Sequence, residues 1–149
     1  MEIYKEVNGK KLRKSVIVFV ERKDNKFLCL KRHPDLRSYP GEWSFIGGKC
    51  EEFDKDSVDA ACREAFEEGH LLVFYDKMAQ SKYHMTFDDI EAGYSIEFFV
   101  IKVEEENVHI SLNYTEHTDS FWCPIELGLN ILTEKIPESR KFFKQYYNL

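Results

Sequence analysis

The feature that most constrains this chain is the placement of its charge. Between Glu51 and Glu68 stand eight acids (Glu51, Glu52, Asp54, Asp56, Asp59, Glu64, Glu67, Glu68) and two bases (Lys55, Arg63), a net of −6. The full 149 residues carry 27 acids and 21 bases, also −6, so the rest of the chain holds 19 of each and is neutral. Any fold must make room for this one acidic segment.

The segment reads as a helix. Asp56 is a good N-cap with Asp59 three residues on, and Gly69 is a good stop, which predicts a helix over about Ser57–Glu68. At roughly 100° per residue, Val58, Ala61, Cys62 and Ala65 share a narrow face that should pack on a sheet. Glu64, Glu67 and Glu68 lie beside that face, with Arg63 one turn before Glu67. Two arrangements satisfy the pattern. Splayed into water, each like-charge neighbour costs about 0.2–0.5 kcal/mol. Converging at about 5 Å, each pair repels by roughly 3 kcal/mol at an effective dielectric of about 20. Three such pairs rival the ~5–15 kcal/mol stability of a domain. Convergence therefore requires a cation, and all-oxygen ligands select Mg²⁺ or Mn²⁺. Spacing alone leaves both arrangements open.

Around this helix the sequence predicts strands. Ser15–Val20 and Phe27–Lys31 form a hairpin across Asp24-Asn25, and His33–Pro40 is a loop. Trp43–Ile46 is a short strand ending at a Gly47-Gly48 turn. Further strands are expected at Leu71–Asp76, Ser81–Thr86, Tyr94–Val103 and Ser120–Cys123. Pro137 opens a last helix with Phe142, Phe143, Tyr146 and Tyr147 on one side, a core stripe. Strands before and after a central helix give an α/β (α+β) layer fold. Length and the lack of linkers predict a single domain over residues 1–149.

Several functions are disfavoured. A neutral surface outside the acidic segment argues against long nucleic acids, including RNA-directed activity, because polyanion binding needs a basic face. No apolar run approaches the ~18–20 residues of a membrane span, and the first is too short for a signal-peptide core. The four cysteines lack paired metal or redox spacing, so free thiols and a cytoplasmic location are expected. The histidines show no zinc-site pairing.

Gly47-Gly48, five residues, Asp54, eight residues, then Arg63-Glu64-Ala65-Phe66-Glu67-Glu68 closely resembles the signature of the Nudix hydrolases, written G-x5-E-x7-R-E-U-x-E-E-x-G-U. The R-E-x-x-E-E part is intact. Asp54 replaces Glu, one extra residue precedes Arg63, Ala65 fills the bulky U position, and the closing glycine comes one place early, as Gly69. Upstream, Leu28-Cys29-Leu30-Lys31-Arg32, Arg37, Gly41, Phe45 and Gly47-Gly48 look like the motif of the Nudix coenzyme A pyrophosphatases, with His33 where Ser or Ala is usual.

The resemblance implies an α/β/α sandwich with a mixed central sheet. It also implies hydrolysis of a pyrophosphate in a small nucleoside diphosphate-linked substrate, water attacking phosphorus while Mg²⁺ or Mn²⁺ polarises the phosphoryl oxygens. On that reading Glu67 and Glu68 are metal ligands, Glu64 is a ligand or general base, and the Gly48 carbonyl is a further ligand. Arg63 braces the carboxylates. Glu116, six residues before Trp122, is a second base or ligand candidate, and Glu97 a weaker one. Arg32, Arg37 and Lys31 are candidates for substrate phosphates. Trp43 and Tyr39 are candidates for stacking on the nucleoside, with Phe45 better suited to the core. Homodimers are common in the family. The competing function is a regulatory module that binds a nucleotide without cleaving it.

Overall fold

The computed structural model describes residues 1–104 and 110–149. Among the described residues eight strands make one mixed sheet: β1 (Tyr4–Val7), β2 (Lys10–Arg22), β3 (Lys26–Arg32), β4 (Trp43–Ser44), β5 (Ile46–Lys49), β6 (Lys82–Asp89), β7 (Tyr94–Val103) and β8 (His117–Pro124). The helices are α1 (Ser57–Gly69), α2 (Tyr75–Gln80), α3 (Gly128–Ile131) and α4 (Pro137–Tyr147).

Strand β2 is the hub. It runs parallel to β7 from Arg13 to Arg22, and its other edge meets β1, β5 and β3 in succession, all antiparallel. Its Val16-Ile17-Val18-Phe19-Val20 run is buried on both faces, as a central strand requires. Val16, Val18 and Val20 face α1 with Leu28, Leu30 and Ile101, while Ile17 and Phe19 face α4 with Phe27, Phe98, Phe142 and Phe143. Helical layers on both faces of a mixed sheet match the expected sandwich. In the α4 layer Phe142 stacks on Phe98 at 4.9 Å, a contact of the expected core stripe.

Three local expectations are corrected. Leu71–Asp76 is not a strand: Val73 is buried but Leu72 and Phe74 are 69% and 74% exposed, and Tyr75 begins α2, anchored by buried Met78. Gly47-Gly48 is not a turn but the middle of β5, paired with Ile17 and Val16. Helix α1 ends not on a left-handed Gly69 but on His70, whose φ is 53°.

The switch from β4 to β5 positions the site. The chain pairs with β3 through Ser44, leaves at Phe45, and pairs with β2 from Ile46. The sheet edge forks there, and the fork opens a cavity of about 210 Å³ lined by Arg32, Tyr39, Phe45, Gly47, Gly48, Tyr94, Glu138 and others.

Candidate active site

Helix α1 starts as its sequence dictates. Asp56 accepts from the Asp59 N–H at 2.9 Å, and Asp59 accepts from the Lys55 N–H at 2.9 Å. The apolar face of Val58, Ala61, Cys62 and Ala65 packs on the sheet as expected. The buried face is wider than that stripe, however, and takes in Glu64 and Glu68.

Glycines make this possible. A Cβ on Gly48 would lie 2.3 Å from Glu64 Oε1, so the bare strand is the space the Glu64 carboxylate occupies. The Gly47 N–H donates to Glu68 Oε2 at 3.1 Å. The glycine pair thus seats two helix carboxylates against β5.

Arg63 organises the cluster. It donates through Nε and one terminal nitrogen to both Asp54 oxygens, at 3.0 and 2.9 Å. The other terminal nitrogen donates to Glu64 at 2.9 Å and to Glu67 at 3.2 Å. Asp54, 2% exposed, is held below the usual carboxylate range by Arg63 against the opposing effect of burial. Asp54 stands at the motif position where Glu is usual, and that position is the sequence signal for this brace.

Half of the segment's eight acids are accounted for by caps and ion pairs. Asp56 and Asp59 cap, Asp54 binds Arg63, and Glu51 pairs with Arg13 at 3.2 Å. Glu64 and Glu68 remain buried among other acids. Burial pushes Glu64 up to about 7, against the pull of Arg63, with Glu67 and Glu116 adding to the rise. Burial also lifts Glu68 well above its ordinary value, reinforced by Glu64 and Glu116. One oxygen of Glu68, one of Glu116 and a ring nitrogen of His117 lie within 4.8 Å of one another. Two ionised carboxylates that close repel by about 3.5 kcal/mol at an effective dielectric of about 20. Glu68 thus converges with Glu116 and His117, while Glu64 and Glu67 meet at the Arg63 guanidinium.

The other candidates separate. Arg32 and Tyr39 line the cavity; Arg32 Nε also ties the loop by donating to the Ser38 carbonyl at 2.8 Å. Tyr39 is held at φ 50°, an uncommon conformation for a bulky residue. Trp43 lies outside the cavity lining and packs on Phe121 at 4.8 Å. Arg37 is exposed in the loop, also outside the lining. Lys31 lies over the Trp43 ring, and Phe45 is core and cavity wall together. Glu97 is engaged by Ser57 at 2.7 Å and Lys82 at 3.2 Å. His117, which the sequence reading missed for want of a paired histidine, is buried, and burial pulls it down to about 4.

The site is thus a set of arginine-braced glutamates seated on a glycine strand, in a mixed sheet between helical layers. Residues 11–146 match the NUDIX domain model, and the chain belongs to that family. Solved structures share the fold. The MutT protein from Methanosarcina mazei Go1 is 20% identical, covering 97% of this chain and 100% of its own, with TM-score 0.65. An Ap4A hydrolase binary complex from C. elegans is 20% identical over 90% and 98%, with TM-score 0.63. The NUDIX domain of Shewanella oneidensis NrtR, complexed with ADP ribose, is 14% identical over 93% and 88%, with TM-score 0.69. No curated protein matches the chain in sequence. No helix among the described residues is long and apolar enough to cross a membrane.

Proposed function

We propose that this Nudix pyrophosphohydrolase cleaves a pyrophosphate bond in a small nucleoside diphosphate-linked compound, using Mg²⁺, with Mn²⁺ as a substitute. The observation that carries the reading is Gly48, which both lines the cavity and abuts the Glu64 carboxylate. A substrate in the cavity therefore meets the acidic cluster at its rim. The nucleoside lies between Tyr39, Phe45 and Tyr94, and Arg32 faces the phosphates. Trp43 acts by packing. Glu64, steadied by Arg63, accepts the proton of the attacking water, with Glu116 the second candidate. Glu64, Glu67, Glu68 and the Gly48 carbonyl hold the cation. When bound, it neutralises the carboxylates and polarises the phosphoryl oxygens. Four free cysteines support work in a reducing cytoplasm.

The test is a product-resolved panel with Mg²⁺ and Mn²⁺: nucleoside triphosphates, nucleotide sugars and ADP-ribose, dinucleoside polyphosphates, and coenzyme A. At least one compound should be split at a pyrophosphate, with chelator abolishing the reaction. Phosphopantetheine released from coenzyme A would place the chain in the subgroup its upstream motif resembles. Binding without cleavage across the panel would favour the regulatory module instead.

A further inference from the structure

One buried side chain has no role in the hydrolytic scheme. His117, the first residue of β8, is 1% exposed, and neither ring nitrogen has a hydrogen-bond partner among the described residues. A buried polar group without a partner costs about 1–3 kcal/mol, so a native fold keeps one only where something else satisfies it. A His117 ring nitrogen, a Glu68 oxygen and a Glu116 oxygen all lie within 4.8 Å of one another. They come from two separate elements, the last turn of α1 and the entry to β8. Some point between three such atoms lies within about 2.8 Å of all of them, against ~2.0–2.2 Å for nitrogen and oxygen ligation. Sub-ångström closure would complete the contacts.

We propose that Glu68, Glu116 and His117 form a mixed nitrogen–oxygen metal site that takes a first-row transition ion, Mn²⁺ or Zn²⁺, in preference to Mg²⁺. Mg²⁺ dehydrates reluctantly and favours all-oxygen surroundings, whereas imidazole suits transition ions. The orphaned imidazole is what distinguishes this position from a plain acidic cluster. The proposal rests on the hydrolase reading in one respect, since Glu68 serves both.

Mn²⁺ is the probe, bound to the full chain and read by pulsed electron paramagnetic resonance. Bound Mn²⁺ should show nitrogen modulation from one imidazole. That modulation should vanish in His117→Gln and persist in Glu67→Gln. In equilibrium titrations His117→Gln should weaken Mn²⁺ at least tenfold and change Mg²⁺ less than twofold. Bound Mn²⁺ without nitrogen coupling in the unaltered protein overturns the proposal, whatever the folding of the variant. Coupling that survives His117→Gln overturns it equally, by assigning the nitrogen to another histidine. The readout needs no turnover, so a substrate panel with no cleavage would sink the hydrolytic reading and leave this site standing.

Discussion

Arg63 holds Asp54 with two prongs and reaches Glu64 with the nitrogen left over. A planar fork can do this; an ammonium, a single point charge, cannot. Arg63→Lys should therefore keep the charge and lose the geometry. Turnover should fall about 10–100-fold, as for partners that orient metal ligands. Steady-state kinetics at saturating Mg²⁺ would show it, and activity within twofold of the parent would mean the brace is ornamental.

Gly47 and Gly48 should respond differently to alanine. A Cβ at 48 meets the far end of a side chain, the Glu64 carboxylate, but at 47 it meets the Val16 carbonyl oxygen, 2.8 Å away and part of the sheet. Gly48→Ala should displace Glu64, raise the Mg²⁺ requirement about tenfold, and leave Tm within a few degrees. Gly47→Ala should lower Tm more. Equal effects of both on melting and on metal dependence would refute the distinction.

The end of α1 offers a pure stability test. His70 carries the left-handed cap at φ 53°, where glycine is unstrained, while a Cβ on Gly69 would sit 3.3 Å from Ile46. His70→Gly should stabilise by about 0.5–1 kcal/mol. Gly69→Ala should destabilise, because Ile46 is buried beneath it. Urea unfolding that shows His70→Gly less stable than the parent, or Gly69→Ala more stable, would contradict this.

The buried groups set a pH dependence for the metal-free protein. Glu64 rises to about 7 from 4.5, so the folded state keeps a proton the unfolded chain has released, and stability falls as pH climbs through that window. His117 is lowered to about 4 from 6.5, so its contribution is lost as pH falls through its own window. These slopes oppose each other below pH 6.5. Above it only the carboxyls remain, and Glu68, raised in the same direction by burial, adds to the fall. Each proton contributes at most about 1.4 kcal/mol per pH unit. Without metal, Tm should drop between pH 6.5 and 8, and Mg²⁺ should flatten the drop. A rising or level metal-free curve would contradict the assignment.

Much of this architecture is legible in the residues. The Asp56 cap, the apolar face of α1 and the aromatic stripe of α4 follow from local spacing. So does β7, which runs from Tyr94 to Val103 as its sequence predicts. What local reading misses depends on neighbours distant in sequence. The Leu71–Tyr75 run has strand composition, but there only Val73 finds a fully buried place, and the chain turns into α2. Gly47-Gly48 looks like a turn until it pairs with Ile17 and Val16, with Glu64 filling the space of the side chain missing at Gly48. Asp54 becomes a brace, and His117 a companion of Glu68, only after α1 and β8 dock. Trp43 and Tyr39 are equally aromatic on paper, and the fork at Phe45 leaves only Tyr39 in the cavity.

The most direct test is turnover by Glu68→Gln, with Mg²⁺ saturating and the best substrate of the panel. An amide oxygen can still accept from the Gly47 N–H, so the fold should persist. Removing a buried carboxylate charge should also raise the metal-free Tm above pH 7. Hydrolysis should fall by two orders of magnitude or more. Turnover within twofold of the parent, in a protein of unchanged fold, would contradict the claim that the carboxylates of α1 hold the catalytic metal.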